Sequence, residues 1–208
     1  MRTAFDLSMS SAMHRQHGAA LLVALCVMLM LLIAGVSAVR KAVNAEKASR
    51  GERDRAIAFH AAEAALTDAE RDIEGGAHPG SQRALMIAAG AGFVHGCGSG
   101  AGSPGAGLCA HAPRPAPPAW QRVPLAERAD EHGVKYGQFT GMAMPVGRAS
   151  LPSRLPRYII ESLPSSRAGE DASVRTASMF RITAIGFGAS EDSQVVLQSY
   201  YLKPAEAP

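Results

Sequence analysis

The chain has 208 residues, 21 of them Gly and 13 Pro, which at roughly 150 residues per domain allows one soluble domain with an appendage. Hydrophobic residues at 47% and charged residues at 19% exclude both a chain disordered throughout and a polytopic membrane protein. A net charge of +3 is too small to argue nucleic-acid binding, and 5% aromatics argue against a large aromatic ligand pocket.

From Ala19 to Val39 the chain reads AALLVALCVMLMLLIAGVSAV, 21 residues without a charged side chain. As a helix this run is about 32 Å long, enough to cross roughly 30 Å of hydrocarbon. A cleaved secretory signal has a shorter apolar region, about 7–15 residues, ending at a small-residue cut. Ala34 to Ala38 offers only a weak cut of that kind. The run is therefore read as a transmembrane helix over 19–39, and Cys26 within it as an inert small apolar residue. Arg2 and Arg15 precede the run; Arg40, Lys41, Lys47 and Arg50 follow it. A simple positive-inside count thus favours the C-terminal side in the cytoplasm.

No Pro interrupts residues 40–74, which read as an amphipathic continuation of the same helix. Phe59, Ala62, Leu66, Ala69 and Ile73 recur at intervals of 3, 4, 3 and 4, one apolar stripe for packing on a sheet. Gly75-Gly76, with Pro79 beyond, is a strong stop. A helix over 19–74 would span about 84 Å. Its first half belongs in a membrane or an assembly, and its second half against the globular part. Asp68, Glu70, Asp72 and Glu74 alternate along its end. Positions i and i+2 do not share a helix face, so these acids are expected in solvent, not around calcium.

Residues 75–130 form a Gly/Pro-rich region. Its centre, GCGSGAGSPGAGLCAHAPRPAPPAW, is expected to be a long surface loop without regular elements. Cys97 and Cys109 lie in it, and with His95 and His111 they make H-x-C-x11-C-x-H. Four such ligands suit tetrahedral zinc. In an exported chain the two thiols would instead oxidise, and closing this short loop is worth about 3 kcal/mol. The disulfide is the expectation, with zinc the alternative and no metal or other cofactor assigned.

Residues 131–208 read as an antiparallel sheet. A weak strand begins at Val134 and Tyr136, a clearer one spans Arg157 to Leu163, and the strongest are FRITAIGF (180–187) and QVVLQSYYL (194–202). The turn-rich 188–193 joins the last two as a hairpin. Imperfect alternation in the last strand suggests cover on both faces. There is no GxSxG, no HExxH and no Walker loop, and nothing gathers Ser, His and Asp, so no enzyme is expected.

The leader ends Arg15-Gln16-His17-Gly18, directly before Ala19 and the membrane-length run. This border resembles that of a type IV prepilin. The resemblance implies cleavage by prepilin peptidase between Gly18 and Ala19, N-methylation of Ala19, a leader of 1–18 in the cytoplasm and a C-terminal domain in the periplasm, against the simple charge count. Four blocks in order resemble the PilX family of minor pilins: GAALLVALCVMLMLLIAGVSAV, RDRAIAFHAAEAALTDAE, PRYIIE and FRITAIGFGASEDSQVVLQSYY. That family implies a type IV pilin-like α+β fold, with a long N-terminal helix packed on a C-terminal antiparallel sheet. The implied work is structural: priming or capping type IV pilus assembly at the inner membrane. The implied partners are other minor pilins, the major pilin, a tip adhesin, the inner-membrane assembly platform and the peptidase, with no nucleic acid.

Two positions depart from the family pattern. Most pilins begin the mature chain with Phe or Met where Ala19 stands, and most carry Glu at the fifth mature position, here Val23. A Glu there would neutralise the N-terminal ammonium of the subunit above, and a subunit at the tip has none above it. The alternatives are a minor pseudopilin of type II secretion, which shares the leader, and a membrane-anchored periplasmic binding module.

Overall fold

The structure is a computed structural model that describes residues 17–100, 102–127, 133–147, 149–164 and 177–204. The expected leader lies outside the described residues except for His17 and Gly18, which are helical. The chain divides into one unit up to Ser49 and a second from Arg50 onward.

Helix α1 runs from His17 to Ile73. No Pro breaks it, and Gly35 and Gly51 sit within it facing open space. In the first unit, every side chain from Ala19 to Ser49 is exposed. The helix ends where Gly75 and Gly76 adopt positive φ, 116° and 63°. The Gly76 N–H donates to the Arg71 carbonyl at 2.8 Å, closing the last turn as a glycine C-cap does. From the last strand, Lys203 Nζ donates to the Ile73 carbonyl at 2.8 Å, satisfying an orphan helix-end acceptor.

In the second unit, five strands form one sheet: β1 (Leu108–Ala110), β2 (Val134–Lys135), β3 (Arg157–Leu163), β4 (Ala177–Phe187) and β5 (Gln194–Pro204). The order is β1-β3-β4-β5, and β2 also pairs with β3. β3–β4 and β4–β5 are antiparallel, with Glu161 opposite Arg181 and Ile182 opposite Ser199. β1 runs parallel to β3, so the sheet is mixed and not purely antiparallel as expected.

Two short helices, α2 (Gln82–Ala88) and α3 (Ala119–Arg122), lie with β1 in the Gly/Pro-rich region. The expectation that its centre holds no regular element was wrong. Gly and Pro break long elements, but here they frame short ones. Ser81 caps α2 by accepting from the Ala84 N–H at 3.2 Å, and Pro118 stands at the N-cap of α3.

Both faces of the central strands are covered. On one, the helix face of Ala65, Ala69 and Ile73 meets Tyr158, Ile160, Phe180, Ile182 and Ala184. On the other, Ile159, Ile185 and Phe187 meet the Gly/Pro-rich segment through Cys97, Cys109, Ala119, Val123 and Leu125. β5 differs from its expectation of two-sided cover. Its odd-numbered residues are half-buried and its even-numbered ones exposed, because the Gly/Pro-rich layer stops short of it.

Candidate functional site

The anchor comes first along the chain. Ala19 to Val39 lies on α1 with its apolar side chains outward; Val23 is 62% exposed. The hydroxyl of Ser37 donates to the Ile33 carbonyl at 2.8 Å, so even this polar group is satisfied within the helix, as lipid requires. Cys26 is a free, exposed thiol in the same stretch. The helix is long and apolar enough to cross a membrane and fits a single-pass anchor.

The contact between α1 and the sheet is built on small residues. Ala58, Ala61, Ala62, Ala65 and Ala69 are buried, and Ile73 closes the row. Opposite them stands Gly186 of β4, where an added Cβ would fall on the Ala58 carbonyl oxygen and the Ala62 nitrogen. Of the stripe read from spacing, Ala62, Ala69 and Ile73 are on this face, and Leu66 packs against it while only partly buried. Phe59 is not on it. Phe59 is 39% exposed, because the face turns through Ala58 and Ala61, one residue to the side.

The acids at the helix end also depart from expectation. Asp68 and Asp72 are buried, not solvated. They stand four apart on the alanine face, and each meets a dedicated partner. Arg83 of α2 clasps Asp72: Nε lies 2.8 Å from Oδ1, and Nη2 lies 2.7 Å from Oδ2. The Tyr158 hydroxyl donates to the same carboxylate at 3.0 Å. Arg83 further donates to the carbonyls of Pro104 and Ala106, both at 2.8 Å, and its guanidinium lies 3.9 Å from the centre of the Phe139 ring. One arginine therefore ties the helix to the Gly/Pro-rich segment, and Tyr158 of β3 joins the sheet to the same carboxylate. Burial, and then the Asp72 charge, push the Tyr158 hydroxyl pKa well above its ordinary value. Asp68 accepts from the Gly137 N–H at 2.7 Å and from the Thr140 hydroxyl. Burial raises the Asp68 pKa, against the lowering effect of those two hydrogen bonds.

On the far face of the sheet, buried Glu161 accepts from Arg181 at 2.6 Å and lies 3.3 Å from His111 Nδ1. Nearby, Cys97 and Cys109 are joined as a disulfide. Both sulfurs are thereby used, so the zinc alternative has no thiolates left to coordinate with; His95 is exposed and His111 faces Glu161 instead. Among the described residues no group of His, Cys, Asp and Glu is arranged to hold a metal. One signal for the buried acids was available in the sequence. Asp68 and Asp72 are in phase with Ala58, Ala61 and Ala65, but alanines carry little weight in a search for large apolar residues.

These polar groups join layers of the fold to one another. A membrane-length N-terminal helix, with a second unit in which the helix end packs on a C-terminal sheet, defines an α+β protein of the type IV pilin class. Residues 17–67 match the family described as PilX N-terminal, and residues 105–203 match the type IV pilus assembly protein PilX C-terminal region. The chain belongs to the PilX family, structural minor pilins of type IV pilus assembly. No curated protein and no solved structure matches it.

Proposed function

We propose that this minor pilin primes or caps type IV pilus assembly at or near the fibre tip, with other minor pilins and a tip adhesin. The observation that carries the proposal is Val23, an apolar residue at the fifth position counted from Ala19. Prepilin peptidase cuts between Gly18 and Ala19, and the new N-terminus is methylated. In a fibre, a carboxylate at that fifth position neutralises the ammonium of the subunit above. Burying an unpaired charge costs several kcal/mol, so an apolar residue is favoured only where no ammonium lies above. The ammonium of Ala19 is met by the Glu of the subunit below. The leader stays in the cytoplasm, and the second unit lies in the periplasm before the subunit enters the fibre.

The test is deletion of the gene, followed by counts of surface pili and assays of protein secretion. Loss of pili with normal secretion is expected. Normal pili with lost secretion would instead make the chain a pseudopilin of type II secretion. A protein that prepilin peptidase leaves uncut would be an ordinary membrane-anchored binding module.

A further inference from the structure

The uncharged run of α1 ends at Val39 and is followed at once by Arg40 and Lys41, with Lys47 two turns further on. All three side chains are exposed, and among the described residues none of them is ion-paired. The one acid between Arg40 and Ser49 is Glu46, which stands four residues before Arg50, the spacing of a helix ion pair. The stretch after the run therefore presents net positive charge with nothing to meet it.

Depth decides what can meet it. At 1.5 Å per residue, Arg40 and Lys41 lie within about 3 Å of the end of the run. The headgroup layer on each side of the hydrocarbon is about 5–8 Å deep. With the run filling the hydrocarbon, both residues therefore stand among headgroups. Lys47 lies about 12 Å beyond the run. Side chains on a helix tilt toward its N-terminus, so all three lean back toward the membrane, and the long stem of Lys47 brings its ammonium nearer the headgroups. The Ser37 hydroxyl, one turn earlier, donates to the Ile33 carbonyl and leaves the basic residues as the donors at this level.

We propose that Arg40, Lys41 and Lys47 form a collar that binds the phosphate groups of anionic phospholipids where α1 leaves the bilayer. Arg40 offers a planar fork that matches a phosphate, and the two lysines offer point charges. Arg40 and Lys47, seven residues apart, share a helix face, while Lys41 is turned about 100° from it, so more than one lipid is engaged. Lipid phosphates already lie at this depth. An acidic protein face would have to enter the headgroup layer to reach Arg40 and Lys41. The inference rests on the membrane anchor alone; it needs neither the tip reading nor a choice of leaflet.

The test uses full-length protein in phosphatidylcholine vesicles carrying a trace of spin-labelled phosphatidylglycerol or, in parallel, spin-labelled phosphatidylcholine. Resistance to alkaline extraction verifies that α1 spans the bilayer; protein stripped by that wash would refute the anchor, and the collar with it. Electron spin resonance should show the phosphatidylglycerol label held at the protein about fivefold more strongly than the phosphatidylcholine label, the factor that one basic residue near an anionic surface supplies. The preference should collapse in about 1 M salt, where the Debye length is about 3 Å. Arg40→Gln, Lys41→Gln and Lys47→Gln together should abolish it. Arg40→Lys, Lys41→Arg and Lys47→Arg together keep the charge and should keep the preference. The proposal is overturned if the two labels are held equally at low salt. It is overturned too if the preference survives the neutral triple variant, which would assign it to Arg2 and Arg15 at the other end of the run. A neutral variant that keeps the lipid preference and no longer co-purifies with other pilins would assign the collar to an acidic protein face instead.

Discussion

The carboxylate of Asp72 on α1 is held by the guanidinium of Arg83 on α2 through Nε at 2.8 Å and Nη2 at 2.7 Å, with both side chains shut from solvent. Removing one partner of such a pair strands the other as a buried charge. Arg83→Ala should therefore destabilise the protein by about 3–5 kcal/mol. Arg83→Met with Asp72→Asn removes both charges and should recover part of that loss. Thermal melts of the full-length protein in detergent are the measurement. Equal loss in the single and double variants would show that the cost lies in packing and not in the orphaned carboxylate.

Gly186 admits the backbone of α1, so any side chain there must push helix and sheet apart. Gly186→Ala should cost about 1–3 kcal/mol, and Gly186→Val more, because the obstructing atoms are backbone and cannot rotate away. The same melts check it, with Gly35→Ala as the comparison, since nothing lies near Gly35 within this chain.

Asp68 gives the protein a pH dependence of predictable sign. Its folded pKa is raised above the ordinary 3.8, chiefly by burial, so the protonated form suits the fold. The stability this lends is complete below about 3.8 and is lost as pH rises through the higher folded value. Asp68→Asn does not titrate. The stability of Asp68→Asn relative to the parent should therefore climb with pH across that window and then level off. One lost acceptor, toward Gly137 or Thr140, sets a constant offset of about 1 kcal/mol. Urea unfolding at a series of pH values reads the slope; a flat difference would contradict the raised pKa.

The Cys97–Cys109 bridge closes a short loop against the far face of the sheet. Non-reducing digestion should yield one linked peptide pair, and Cys97→Ser with Cys109→Ser should cost about 3 kcal/mol. The effect should concentrate on the Gly/Pro-rich layer, since Cys97 and Cys109 pack there with Ile159, Ile185 and Phe187. Hydrogen exchange at Leu108 and Cys109 would show it; unchanged exchange there would mean the layer holds without its staple.

Two substitutions probe the anchor. Gly18→Glu should block processing, and mass spectrometry of the parent should find Ala19 as the first residue. Val23→Glu puts a carboxylate in the apolar run. At the tip it has no ammonium partner, so assembly initiation and surface pilus number should fall. More of the protein in sheared fibres would instead place it within the shaft.

The sequence by itself determined the elements whose signals are local. An uncharged run of membrane length, a Gly75-Gly76 stop, and apolar segments at 157–163 and 194–202 each report on neighbours a few residues away. The family resemblance follows from those same blocks, and so do the candidate positions Gly18, Ala19 and Val23. The pairing of Cys97 with Cys109 was foreseeable because few thiols were available.

Only the tertiary structure decided what depends on residues far apart in the chain. Asp72 reads as a solvated acid until Tyr158 and Arg83 arrive at its side. Phe59 reads as core until the helix turns Ala58 and Ala61 toward Gly186. The parallel pairing of β1 and the bare face of β5 were hidden for the same reason. A three-residue strand has no period to detect, and cover on one face or two depends on where another segment of the chain stops. Burial is a property of the assembled layers, so a small or charged residue shows its place only when its neighbours are in place.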